Sequence, residues 1–228
     1  MQLTSKDYRN IAWQALSGNW GFIIGATLLA SLICGAVTSI PTVGPLASIA
    51  ITGPISYGLV IITINVIRKE FLKLSSLFDG FSNFGETFLL YLLNSIFVAL
   101  WTLLFIIPGI IKSFAYSMSP YILADNPNMT QKEARKQSER LMNGNKFRLF
   151  CLELSFIGWI FLSILTCGIL LIWVIPYMQT AVAAFYDDLI QHNDINTYVN
   201  SNNNDNSFLN NTYENSNNDD NSVLNNTY

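Results

Sequence analysis

The stretch from Phe88 to Ala124 reads FLLYLLNSIFVALWTLLFIIPGIIKSFAYSMSPYILA and carries one charged residue, Lys112. As a single α-helix its 37 residues would be about 55 Å long, nearly twice the thickness of the hydrocarbon core of a bilayer. Pro108 and Gly109 lie near its middle, where a missing backbone donor and a flexible residue favour a turn. The stretch therefore predicts two transmembrane helices, at 88–107 and 109–124.

Three other apolar stretches extend this pattern. Trp20 to Thr38 and Pro45 to Ile67 are each long enough for one span. Arg148 to Leu189 is too long for one helix, and Thr166-Cys167-Gly168 is its most suitable break. We therefore predict an all-α, polytopic membrane domain over residues 1–190, with six transmembrane helices arranged as three hairpins. The predicted spans are 20–38, 45–67, 88–107, 109–124, 148–165 and 168–188.

Composition and charge support this fold class. Hydrophobic residues make up 51% of the chain and charged residues 12%, about half the charged share of a soluble domain. Basic residues near membrane spans favour the cytoplasmic side, and six spans place all but Lys112 on one side, whereas four would not. We predict a multi-pass protein of the cytoplasmic (cell) membrane with both termini in the cytoplasm. The clustered basic residues are Lys6 and Arg9; Arg68, Lys69 and Lys73; Lys132, Arg135, Lys136, Arg140, Lys146 and Arg148.

A segment with apolar residues at helical spacing precedes each predicted hairpin, which indicates three interfacial amphipathic helices on the cytoplasmic side. Thr130-Gln131-Lys132-Glu133 has the pattern of a capping box and opens the third segment. Leu16-Ser17-Gly18-Asn19 and Met142-Asn143-Gly144-Asn145 are similar to each other, and each lies just before a span. The chain therefore has the pattern of three related units.

Each returning helix contains a proline with a tyrosine close behind it, at Pro54, Pro120 and Pro176. Each proline would leave the carbonyl four residues earlier without a partner and kink its helix. A structural interpretation is that neighbouring helices satisfy these carbonyls. A functional interpretation is a solute site at broken helices, as in secondary transporters. Polar groups between spans two, four and six would favour the second interpretation.

Two ionisable residues lie within predicted spans and are candidate positions on that ground. Lys112 follows Pro108-Gly109, where we expect it to reach the outer headgroups with no acidic partner. Glu153 lies one turn inside the fifth span, where we expect it to pair with Lys146 or Arg148. Three amides, those of Asn65, Asn94 and Gln179, are expected to bond between helices.

No residue pattern indicates catalysis or a cofactor. The one histidine, His192, lies at the start of the polar tail, which argues against a histidine-based triad, and the three cysteines have no ligand spacing. Phosphate loops and nucleophile elbows are absent from the sequence. We predict no enzyme activity, no catalytic, metal or cofactor-binding residues and no nucleic-acid partner.

The charged segments predict partners at the cytoplasmic face. The basic helix and its extension, 131–148, fit anionic headgroups of the bilayer, and an acidic protein partner is the alternative. Residues 191–228 contain 15 Asn and no Lys or Arg, which predicts a disordered, Asn-rich cytoplasmic tail.

Several short motifs resemble those of domain-of-unknown-function family 975, multi-pass membrane proteins of mostly Gram-positive bacteria. The resemblance covers about residues 4–190 and implies a prokaryotic membrane protein with no assigned activity. The hairpin pattern is also similar to the membrane domain of some glycerophosphodiester phosphodiesterases, whose catalytic domain this chain lacks. The motifs are Gly18-Asn19-Trp20, LFDGF at 77–81, FIIPGIIK at 105–112, YILADNP at 121–127, LMNGNK at 141–146 and SFIGW at 155–159.

Two functional hypotheses follow. The first is a non-enzymatic, membrane-organising or partner-binding component that uses its cytoplasmic amphipathic helices. The alternative is a small transporter or permease subunit with a site at the kinked even-numbered helices. A polar cavity between those helices would favour the alternative, and a dry aromatic and aliphatic interior would favour the first.

Overall fold

The computed structural model describes residues 3–40, 44–104 and 106–192, and within these ranges it contains helices and turns and no strands. Contacts divide the chain into two units, Met1–Asp187 and Asp188–Tyr228, and the contacts discussed below lie within the first. The predicted tail falls in the second unit, almost entirely outside the described residues.

Ten α-helices and one 3-10 helix follow one another in the described residues. The α-helices are α1 (Ser5–Leu16), α2 (Trp20–Thr38), α3 (Gly44–Arg68), α4 (Phe84–Leu104), α5 (Ile106–Tyr116), α6 (Ser119–Asp125), α7 (Gln131–Leu141), α8 (Lys146–Leu154), α9 (Ile157–Leu165) and α10 (171–192); the 3-10 helix is Leu74–Phe81.

Four described helical segments are long and apolar enough to cross a membrane. Their surfaces carry many exposed Leu, Ile, Phe and Trp side chains; Leu103, for example, is 88% exposed. Such a surface suits lipid and not water. The segments are Trp20–Thr38, Ala47–Arg68, Phe84–Leu103 and Lys146–Leu165. A total of six spans in three hairpins stays a prediction.

The helix boundaries differ from the predicted ends of spans three and four. The sequence predicts a third span from residue 88, but α4 begins at Phe84. The sequence predicts a turn at Pro108-Gly109, but α5 begins at Ile106, so Pro108 lies in a first helical turn, where its missing N–H costs no hydrogen bond. Glycine at position 109 allows α5 to approach α4 closely, because a Cβ there would overlap Thr102.

Two predicted spans are interrupted in the structure. The predicted span 109–124 is divided between α5 and α6, and Pro120 lies at the start of α6 and so does not kink a continuous helix. The carbonyl of Tyr116, which Pro120 leaves without its helical partner, accepts a hydrogen bond from Ser119 Oγ. The predicted span 148–165 is divided between α8 and α9 at residues 155–156.

The repeated Gly-Asn motifs perform the same structural task twice. Gly18 and Gly144 follow α1 and α7 with φ of +90° and +80°, a conformation that favours glycine. Asn19 and Asn145 then precede α2 and α8, and each side-chain amide donates to the carbonyl four residues earlier. Two units of the predicted repeat therefore begin their apolar helix in the same way.

The backbone of the LFDGF motif packs directly against the backbone of α3. Leu77 is fully buried, and a Cβ at Gly80 would overlap the backbone of Pro54. A Cβ at Gly58 of α3 would in turn overlap the backbone of Leu77. The 3-10 helix therefore lies against the part of α3 that follows its proline.

Candidate functional site at the three returning helices

The parts of α3, α6 and α10 that follow their prolines meet in the interior. Tyr57 of α3 donates a hydrogen bond to the carbonyl of Leu123 in α6, at 3.2 Å. The rings of Tyr121 in α6 and Tyr186 in α10 lie 5.3 Å apart. The tyrosines therefore connect the three helices that the sequence predicts as spans two, four and six.

A cavity of about 170 Å³ lies where these three helices meet α4. That volume is enough for several water molecules or a small solute. Most of the lining side chains are polar, and none is formally charged. They are Ser56, Leu59, Val60 and Thr63 of α3, Tyr91 of α4, Tyr121 of α6 and Gln179 of α10.

Most polar groups of the cavity have unused hydrogen-bonding capacity. Thr63 Oγ1 donates to the carbonyl of Val60 at 2.8 Å. The side chains of Ser56, Tyr91, Tyr121 and Gln179 make no hydrogen bond to any residue that the structure describes. Gln179 was expected to bond between helices, and the structure places it in the cavity instead. Polar side chains that line a cavity without protein partners can hydrogen-bond to water or to a polar solute, so this cavity suits either.

An ion-pair network connects the same three helices beyond the cavity, at their C-terminal sides. The Arg68 guanidinium binds both carboxylate oxygens of Asp125, each at 2.8 Å, and its Nε donates to Asp187 at 3.1 Å. Tyr186 adds a hydrogen bond from its hydroxyl to Asp125, at 3.0 Å. We call these four residues the Arg68 network. It is partly exposed, with side-chain exposures of 20–30% for the three charged members.

The expectation that Lys112 has no acidic partner is wrong. Its ammonium forms an ion pair with Glu139 of α7 at 2.7 Å and lies 5.9 Å from the Trp101 ring and 5.5 Å from the Tyr116 ring. The sequence offered no acid at that depth, because α7 was expected to lie at the membrane surface. In the structure α7 packs along α4 and α5, with Ser138 Oγ donating to the buried carbonyl of Ala115 at 2.7 Å.

Glu153 is also placed differently from the expectation. It pairs with neither Lys146 nor Arg148, and its carboxylate makes no ion pair or hydrogen bond within the described residues. Arg148 instead binds the Tyr8 hydroxyl and Asn145 Oδ1, and its guanidinium lies 5.5 Å from the Phe185 ring. Arg148 therefore has partners other than Glu153.

The basic segment 131–148 divides into bound and exposed cations. Arg135 packs over the Phe97 ring at 4.7 Å. Lys132, Lys136 and Arg140 are exposed at four-residue spacing, which places them on one face of α7. The Thr130–Glu133 capping box is confirmed, and the hydrogen bonds from Thr130 lower the pKa of Glu133.

Larger surface pockets, of about 800, 650, 550 and 320 Å³, lie elsewhere in the described residues. A groove of about 800 Å³ between α4 and the α5–α6 region is lined in part by Asn94, Ser95, Thr102 and Ser117. A pocket of about 320 Å³ is lined by four tryptophans, Tyr177 and two aliphatic residues. Within the described residues, no group of three His, Cys, Asp or Glu side chains is placed to hold a metal ion.

The members of the Arg68 network lie far apart in the sequence. Arg68 belongs to a cluster of basic residues there, and no local pattern indicates its pairing. The sequence does carry a signal for this network, because a charged residue lies at the end of each returning span. Arg68 is basic, whereas Asp125 and Asp187 are acidic. Opposite charges at three helix ends predicted on one membrane face are candidates for pairing.

Comparison with known proteins assigns a family. The family model "Protein of unknown function (DUF975)" matches residues 1–112 and 103–193. The chain belongs to this family. No curated protein and no solved structure matches this DUF975 protein significantly. The resemblance inferred from the short motifs is therefore confirmed, and the function has to be argued from the site.

Proposed function

We propose that this DUF975 protein is an integral membrane component that binds a small solute between its three returning helices and passes it across the bilayer. The observation that carries the proposal is the cavity of about 170 Å³ with four uncommitted polar side chains. It lies between the helices predicted as spans two, four and six, where a polar cavity favours the transporter hypothesis.

The prolines fit this proposal. Pro54 lies inside α3 and Pro120 at the start of α6, and Pro176 lies in α10 three residues before Gln179. Interruptions of transmembrane helices are tolerated where they border a cavity or are satisfied by neighbours. Each proline thus precedes a cavity-lining residue by one to three positions: Ser56, Tyr121 and Gln179.

The test is solute flux into liposomes that contain the purified protein, with glycerol as the probe and light scattering as the readout. We expect glycerol to enter faster than into protein-free liposomes, and Gln179→Leu to slow entry by removing a polar group from the cavity. Lys136→Gln, on the exposed face of α7, is the matched control and should not change entry. Glycerol entry equal to that of protein-free liposomes would contradict the proposal.

A second candidate function, membrane organisation through anionic headgroups, is supported by the exposed face of α7. Lys132, Lys136 and Arg140 are not paired with any described acid, and Phe147, next in the chain to Lys146, is 72% exposed. Cations near an anionic surface each contribute about 1 kcal/mol of attraction. This surface also fits the predicted acidic protein partner at 131–148.

Mass spectrometry of lipids that remain bound after purification tests this candidate. Replacing Lys132, Lys136 and Arg140 by Gln should reduce retained phosphatidylglycerol relative to the parent. Lys112→Gln is the control, because that cation faces Glu139 and not the exposed face. Equal retention in the triple variant and the parent would count against headgroup binding at α7.

A further inference from the structure

We infer that the Arg68 network is a gate that closes the solute cavity at one end of the bundle, and that the solute is small, uncharged and hydrogen-bonding. This inference rests on the proposed function for the identity of the site. Its own evidence is the chemistry of the cavity lining and the position of the network relative to the cavity.

The lining determines the class of solute. Besides the Thr63 hydroxyl, its polar groups are three hydroxyls and one amide. Each of these groups can both donate and accept hydrogen bonds. The lining contains no acid or base that could compensate a charge, and a charge without a partner in such an interior is strongly disfavoured. A polyol or a small amide therefore fits the cavity better than an ion.

The position of the Arg68 network allows it to close one end of the cavity. Thr63 precedes Arg68 by five residues, Tyr121 precedes Asp125 by four, and Gln179 precedes Asp187 by eight, as the residue numbers show. In helical geometry these separations are about 7.5, 6 and 12 Å along the three helices. The network therefore lies beyond the cavity on all three helices at once.

Tyr186 links the lining of the cavity to the network. Tyr186 is 1% exposed, lies against Tyr121 of the cavity and donates its hydroxyl to Asp125 of the network. Opening the ion pairs would release both the helix ends and the Tyr186 hydroxyl. Since the charged members are 20–30% exposed, water can replace their contacts at modest cost, as a gate requires.

The test measures how quickly a water-soluble reagent reaches the cavity. Ser56→Cys is made the single cysteine by replacing Cys34, Cys151 and Cys167 with Ala, and the protein in liposomes is treated with an uncharged, water-soluble methanethiosulfonate, the hydroxyethyl derivative. Arg68→Ala should raise the labelling rate by about tenfold, equal to about 1.4 kcal/mol in the opening equilibrium. Asp187→Asn, which weakens one of the three hydrogen bonds to the guanidinium, should raise it less.

Matched controls separate gating from loss of structure. Arg140→Ala removes an exposed cation of α7 and should leave labelling at position 56 unchanged. Native Cys34, kept as the single cysteine, packs against the α2–α3 core and should not gain reactivity in Arg68→Ala. An unchanged rate at position 56 in a folded Arg68→Ala variant, or an equal rise at Cys34, would overturn the gate.

Flux measurements test the solute class and the proposed transport function separately from the gate. In Arg68→Ala liposomes, glycerol entry should rise while entry of glycerate, its carboxylate analogue, should not. Equal entry of both would overturn the uncharged-solute inference. A labelling increase without any glycerol entry in parent or variant would uphold the gate and contradict the proposed function.

Discussion

Single residues in this protein are placed by partners far away in sequence. Lys112 shows this most clearly, because its ion pair with Glu139 crosses 27 positions of the chain. The hydrogen bond from Lys112 also lowers the pKa of Glu139 below its ordinary value of 4.5. The carboxylate therefore contributes stability above pH 4.5, and that contribution is lost as the pH falls through the lowered pKa.

This pair gives a pH-dependent prediction. Both side chains are more than a third exposed, so we expect the pair to contribute about 0.2–1 kcal/mol, the range for surface pairs. Glu139→Gln should be less stable than the parent near neutral pH and should lose less stability on acidification. Thermal unfolding followed by circular dichroism at several pH values is the measurement.

Other carboxylates also titrate in this range, including Asp7, whose pKa is lowered by hydrogen bonds from Thr4. The difference between parent and variant, and not the parent alone, therefore reports on Glu139. Lys112→Met should reduce that difference to near zero in a double-mutant comparison. A difference that persists without Lys112 would show that another group stabilises the carboxylate.

At the scale of elements, the 3-10 helix Leu74–Phe81 positions α3 next to the cavity. Gly58 and Gly80 allow the two backbones to touch, and both glycines are buried. Ser56, which lines the cavity, lies between Pro54 and Gly58, the two positions of α3 in this contact. The packing of this short helix and the geometry of the site are therefore coupled.

Gly58→Ala and Gly80→Ala should each destabilise the fold by about 2 kcal/mol or more, because the added Cβ would overlap backbone that cannot rotate away. Gly25→Ala in α2 is the matched control, since nothing lies within 4 Å of its added Cβ. It should be neutral or slightly stabilising, because alanine has the higher helix propensity. Melting temperatures in detergent decide between these outcomes, and equal temperatures for all three variants would refute the backbone contact.

At the scale of the whole molecule, the main prediction is how the chain is oriented in the membrane. The contacts within the structure do not determine this orientation. Six spans with cytoplasmic termini place residues near 42 outside and residues near 201 inside, both of which lie outside the described residues. The Arg68 network shows only that the ends of α3 and α6 meet α10 at Asp187, and it leaves the orientation to experiment.

The topology is measured by labelling single cysteines in intact cells with an impermeant thiol reagent. Thr42→Cys should react from outside, and Ser201→Cys should react only after the membrane is permeabilised. Both substitutions are introduced in a background without the native cysteines, which serves as the unlabelled control. Reaction at both positions in intact cells would rule out six spans.

The sequence by itself determined the helical class, the apolar segments, the capping box of α7 and the repeated Gly-Asn turns. These features depend on local hydrogen bonds and on hydropathy over neighbouring residues, so they can be predicted without knowing what packs where. The prolines and tyrosines that mark the returning helices were visible in the same way.

Only the tertiary structure decided which side chains meet. The Arg68 network, the Lys112–Glu139 pair and the lining of the cavity each join residues from separate helices. Periodicity indicates which face of a helix is apolar. It does not indicate the point along that helix at which another helix packs, and α7 therefore could not be predicted to lie beside Lys112. Pairing of charges and the convergence of uncommitted hydroxyls are consequences of packing, and no local pattern encodes them.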